Sequence, residues 1–149
     1  MLLKFLGLGF IFISSSAFGL YKSALLNLRA KRLGKICDSL KLLAEHIRIG
    51  GKELGELTAL CFNGGEIEYL NGKCRINKEN LSDGDIKLIE EFFGGFGFLD
   101  RDAEYNRTIS YIKQLETEYS EALKLKAERG KLYKTLGFCT GLGLCIFLI

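Results

Sequence analysis

The chain has 149 residues, enough for one small domain, with 21 basic against 18 acidic side chains and a net charge of +3. So mild a charge, with no basic run interleaved with stacking aromatics, argues against nucleic-acid binding. The five cysteines (Cys37, Cys61, Cys74, Cys139 and Cys145) form no CxxC or Cys/His cluster, which argues against zinc and fits small apolar residues in a reducing compartment.

Charge is absent from both ends. Phe5 to Tyr21 and Thr135 to Ile149 are uncharged, at 17 and 15 residues a little under the roughly 20 of a spanning helix. Lys4, Lys22 and Lys134 can snorkel to the headgroups and supply the remaining length. The first stretch also imitates a signal peptide, with Ser14-Ser15-Ser16-Ala17 as the cleavage region, which would make the rest an exported, C-terminally anchored domain. Against that reading, Lys22, Arg29, Lys31, Arg32 and Lys35 follow before any acid, and such a cluster resists translocation. Lys124, Lys126, Arg129, Lys131 and Lys134, against Glu128 alone, repeat the bias before the second stretch. The expectation is a membrane hairpin with its central domain in the cytoplasm and both termini outside. Its bounds are 1–21 for the first transmembrane helix, 22–134 for the domain and 135–149 for the second.

Within the second stretch, Gly137 and Gly141 form a GxxxG pair with Gly143 beside them, and Ser15 and Gly19 form a weaker small-xxx-small pair in the first. Such positions let helix backbones approach closely in lipid.

The domain reads as all-α. Leu26, Leu33, Leu40, Ile47 and Leu54 recur every seven residues, with Ile36, Leu43 and Leu57 three positions later, which predicts a helix packed against another. Gly50-Gly51 interrupts it, and a short second helix follows over Lys52 to Cys61. Asn63-Gly64-Gly65 is a loop. Asn71-Gly72 between Ile67–Leu70 and Lys73–Ile76 then predicts a short β-hairpin over 67–76, since both turn residues accept positive φ. Ser82 caps a third helix carrying Ile86, Leu88, Ile89, Phe92 and Phe93, which Gly94-Gly95-Phe96-Gly97 ends. The last helix starts near Asp100, buries Ile109, Ile112, Leu115, Tyr119 and Ala122, and continues into the membrane stretch as one rod.

No catalytic constellation is present. The glycines at 94, 95 and 97 lack a following Lys-Ser/Thr and a leading strand, so they read as a helix-ending turn rather than a phosphate loop. His46 has no second histidine or cysteine at ligand spacing. Glu90-Glu91 and Asp100-Arg101-Asp102 read as a solvated face and a helix start, where the dipole favours acids. Nothing assembles a nucleophile, base and orienter, so neither enzyme activity nor a cofactor or metal is expected.

From Leu81 to the end the chain resembles the stage III sporulation protein AB family of endospore-forming bacteria. Leu81, Ser82 and Asp85 match the family's helix start; Phe92, Gly97, Asp100 and Arg101 match its turn, with Asp102 in place of glutamate. Lys131-Leu132-Tyr133-Lys134-Thr135-Leu136-Gly137-Phe138, followed by Gly141, is the most specific match. Leu40, Ile47, Gly50, Leu54, Glu56 and Leu57 resemble its first helix pair. Phe93 stands where the family has glycine, Phe96 where it has leucine and Glu104 where it has glutamine, and the middle is shorter than in relatives.

The resemblance implies a helical fold like the cytoplasmic domain of the type II secretion inner-membrane platform protein. It also implies a scaffold subunit of the channel complex between mother cell and forespore, in the mother-cell membrane around the forespore. The implied partners are the secretion-type ATPase of that complex (stage III sporulation protein AA), its other membrane subunits and the bilayer. The short middle bears most on the ATPase contact. The competing reading is a hairpin that self-associates through Gly137 and Gly141 into a pore or transport element; no charge lies within the apolar stretches to line it.

Overall fold

A computed structural model describes residues 2–50, 54–62, 67–70 and 73–148. The described elements are four helices and one hairpin: α1 (Leu2–Ile49), α2 (Leu54–Cys61), β1 (Ile67–Leu70), β2 (Lys73–Ile76), α3 (Asp83–Gly94) and α4 (Arg101–Leu148). The fold is the expected all-α bundle, with a two-stranded antiparallel hairpin registered Ile67 to Ile76 and Leu70 to Lys73. The Asn71-Gly72 turn, the Asn63-Gly64-Gly65 loop, Gly51 and the Lys52 start of the second helix lie outside the described residues.

The chain divides into two compact units, Met1–Ala30 with Ala122–Ile149, and Lys31–Glu121. The charge boundary at Tyr21–Lys22 does not end α1, and nothing helix-breaking stands there: Lys22, Ser23 and Ala24 all continue a helix.

In the second unit, the heptad seam is the core. Leu33, Ile36, Leu40, Leu43 and Ile47 of α1 are all at most 7 % exposed, with Leu57 of α2 and Ile112 and Leu115 of α4. Tyr119 lies over Gly34, where an added Cβ would stand 3.2 Å from its ring. Cys37 is buried in this seam, and that burial pushes its thiol up to about 11. At the rim Lys41 pairs with Glu116 at 2.7 Å, and the hydrogen bond to that carboxylate raises the Lys41 ammonium above its usual range.

Glycine and capping chemistry set the corners. Gly50 closes α1 at φ +73°, a left-handed conformation that side chains resist, with its N–H on the His46 carbonyl at 3.0 Å. The short hairpin is held by neighbours rather than by itself: β1 packs beside α2 and β2 beside α3. After β2, the Arg32 guanidinium of α1 donates to the Glu79 carbonyl, and Asn80 turns the chain at φ +58°. The α3 N-terminus carries a full capping box. The Asp85 N–H donates to Ser82 Oγ at 3.2 Å, and the Ser82 N–H donates to Asp85 Oδ2 at 2.9 Å.

Candidate functional site

In the second unit, Phe92, Gly97, Asp100 and Arg101 stand at the α3–α4 corner. Phe92, 1 % exposed, is the centre of an aromatic cluster. Its ring lies 4.9 Å from Phe93, 5.3 Å from Phe96 and 5.4 Å from Tyr111, and Phe62 meets Phe93 at 5.6 Å. Gly97 takes φ +89°, which explains a glycine at that position. Asp100 is exposed, and its carbonyl accepts the Glu104 N–H at 2.8 Å, opening α4. The Arg101 guanidinium lies against the end of α1, where a Cβ on Gly50 would stand 2.7 Å from its Cζ. A cation there complements the negative end of the helix. These four residues therefore share a corner, each in a structural role.

The residue that ties this corner together is one the periodicity does not single out. Arg107 donates from Nη2 to the carbonyls of Phe92 (2.7 Å) and Glu91 (3.2 Å), and from Nη1 to the Gly95 carbonyl. It thereby satisfies carbonyls that the end of α3 leaves without helical partners. Its guanidinium also lies 5.8 Å and 5.4 Å from the rings of Phe92 and Tyr111. Glu104, one turn earlier and 3 % exposed, faces Arg107 Nη1 at 3.4 Å through Oε1, while its buried Oε2 makes no hydrogen bond. The (i, i+3) spacing of Glu104 and Arg107 was the one sequence signal for this pair.

In the first unit, the helices pack through their small residues. A Cβ on Gly19 would stand 2.5 Å from the Tyr133 carbonyl oxygen, and one on Gly137 2.9 Å from that of Ser15. Gly141 backs onto Phe12, whose ring meets Phe138 edge-on at 5.3 Å. Ser15 Oγ donates to the Gly137 carbonyl at 2.9 Å and shares a hydrogen bond of 2.9 Å with Thr140 Oγ1. Gly143 does not belong to this contact: a Cβ there meets nothing within 4 Å. Two residues beyond Gly141, it is turned some 200° around the helix, onto the other face.

The large side chains point the other way. Phe10 is 66 % exposed, Ile13 65 % and Phe147 88 %, with Phe18, Phe138 and Ile146 also outward. Among the described residues α1 is the one helix identified as long and apolar enough to cross a membrane, and only 11 % of its apolar window is buried. A core helix of a soluble protein would show the reverse. Among the described residues, no group of three or more His, Cys, Asp or Glu side chains is placed to hold a metal ion.

Fold and corner thus define a small helical domain on the same chain as an apolar helical hairpin, its α3–α4 turn held by Arg107 and the aromatic cluster around Phe92. The chain matches the family of stage III sporulation protein AB over residues 73–149, more than half its length and covering β2, α3 and α4. It belongs to that family, which gives it a role in sporulation. No curated protein and no solved structure matches the chain.

Proposed function

We propose that the protein is a non-enzymatic membrane platform of the sporulation channel, holding a secretion-type ATPase at the mother-cell membrane around the forespore. The observation that carries this reading is the inside-out hairpin. Small residues face inward and large apolar ones outward, which is stable when the surroundings are acyl chains and a liability when they are water. The basic clusters on both sides of the domain favour a cytoplasmic position for it.

For the partner, the domain offers exposed apolar residues beside the family turn and at the end of α1: Phe98 at 84 %, Leu99 at 50 % and Ile49 at 74 %. The Gly50–Arg101 contact keeps these two segments together. A solvent-facing apolar group of this kind is the usual mark of a protein contact. Because α1 and α4 each contribute to both units, the same two helices serve contact and anchor.

The test is capture from cross-linked sporulating cells with the tagged full chain. The secretion-type ATPase is expected to come down with the wild type, and Phe98→Asp is expected to lower its recovery at least several-fold while helix content is unchanged. Recovery unaffected by Phe98→Asp would remove the turn from the interface, and absence of the ATPase from the wild-type capture would overturn the platform reading.

A further inference from the structure

Where the hairpin leaves its uncharged stretches, its two helices enclose a groove of about 860 Å³. The lining comes from Leu20 to Asn27 on α1 and Leu123 to Lys134 on α4, all within the hairpin unit. Small residues, Ala24, Ala127 and Gly130, leave the space; a Cβ on Gly130 would come within 3.3 Å of Ser23 Oγ. Lys126, Lys131 and Lys134 stand around it with the Ser23 hydroxyl and the Asn27 amide, and no acidic residue lines it. Among the described residues, none of the three ammonium groups is in an ion pair.

Position adds to charge. Lys134 borders the apolar stretch that begins at Thr135, and Lys126 lies eight residues earlier on the same helix, a rise of about 12 Å. The headgroup layer of one leaflet is only about 6 Å deep. With the hairpin in a bilayer, the groove would therefore start at headgroup level and open toward the aqueous side.

We propose that this groove binds the phosphate headgroup of an anionic phospholipid of the surrounding bilayer. The inference rests on the membrane reading above. Lysine ammonium groups meet a phosphate as point charges, while the hydroxyl of Ser23 and the amide of Asn27 can hydrogen-bond the remaining ester and glycerol oxygens. Leu20 supplies an apolar wall at the acyl end. A zwitterionic headgroup would bring its own cation against three lysines, so the groove discriminates by repulsion as well as attraction. Basic pockets between helices at the cytoplasmic face are a recurring form of lipid recognition.

The experiment purifies the full chain from bilayers of mixed phosphatidylglycerol and phosphatidylcholine and weighs the retained lipids by mass spectrometry. The wild type is expected to enrich phosphatidylglycerol over the bulk ratio, and the triple variant K126Q/K131Q/K134Q to lose about tenfold or more of that enrichment, a lysine near an anionic surface being worth roughly fivefold. The equal-charge control K22Q/K124Q/R129Q, on the same helices outside the lining, is expected to keep most of it. Ala24→Leu fills the groove without changing charge and should lower enrichment too. Equal losses in the two triple variants would mean diffuse attraction and overturn the site. Displacement of the lipid by inorganic phosphate, but not by chloride of equal ionic strength, would mean a soluble-anion site and overturn the lipid assignment. Extraction of the wild type from cell membranes by alkaline carbonate would instead refute the membrane reading on which the proposal rests.

Discussion

Arg107→Ala is expected to lower the unfolding free energy by about 3–5 kcal/mol, the usual cost of removing one partner of a buried ion pair. The loss is large because one side chain serves so many groups. Three carbonyls at the end of α3 lose their donor, and Glu104 is left buried with no charge partner. Denaturant unfolding of the full chain in detergent, followed by circular dichroism, measures it. The same reasoning fixes the interaction with a second change. Glu104→Gln removes the stranded charge while keeping an acceptor, so it is expected to recover part of the loss in the Arg107→Ala background, and a double-mutant cycle isolates that coupling. A loss below about 1 kcal/mol would mean that water satisfies the α3 carbonyls and that Arg107 is dispensable to the corner.

Gly137→Leu is expected to disrupt the hairpin, where Gly143→Leu on the same helix is expected to leave it intact. At Gly137 the obstacles to a Cβ are backbone, the Ser15 carbonyl at 2.9 Å and Gly19 Cα at 3.1 Å, and backbone cannot rotate aside. The helices must move apart, which also breaks the Ser15–Gly137 hydrogen bond. Overpacking of this kind costs about 1–3 kcal/mol, enough to change the population of paired helices several-fold. Disulfide trapping between cysteines introduced at Phe12 and Phe138, in a background without the native thiols, reads the pairing directly. Equal trapping in both variants would show that the glycine contact does not hold the hairpin.

Much of the fold was legible. The seven-residue beat from Leu33 to Ile47 works because α1 buries one face along its whole course through the domain, and burial of one face is what periodicity encodes. The hairpin at 67–76 and the start of α3 were legible for a different reason, since Asn-Gly and Ser-x-x-Asp carry their geometry locally. The corner was not. Arg107 reaches acceptors 12 to 16 residues away on another helix, and no local pattern announces which carbonyls a guanidinium will find. The GxxxG spacing of Gly137 and Gly141 was legible and places Gly143 on another face, but which face of the helix meets a partner depends on helix rotation. The seam also gave no hint that Glu104 and Thr108 would be buried polar positions on α4; Thr108 is accommodated because its hydroxyl donates to the Glu104 carbonyl at 2.7 Å.

The aromatic residues of α3 and its turn form one packed group. Phe93 and Phe96 are both buried and meet at 6.0 Å around Phe92, and Phe62, which follows α2, packs on Phe93. A core of this kind tolerates exchanges that conserve total volume.

The buried Cys37 thiol changes how sidedness can be read from this protein. A thiol held near 11 is almost wholly protonated at neutral pH, and the thiolate is the form that attacks a maleimide. With Cys37 inside the seam between α1 and α4, a reagent reaches it only when that seam opens. Its labelling rate by a reagent that has access to the domain is therefore a clock for transient opening of that seam, and slow labelling of Cys37 alone does not report a barrier between reagent and domain.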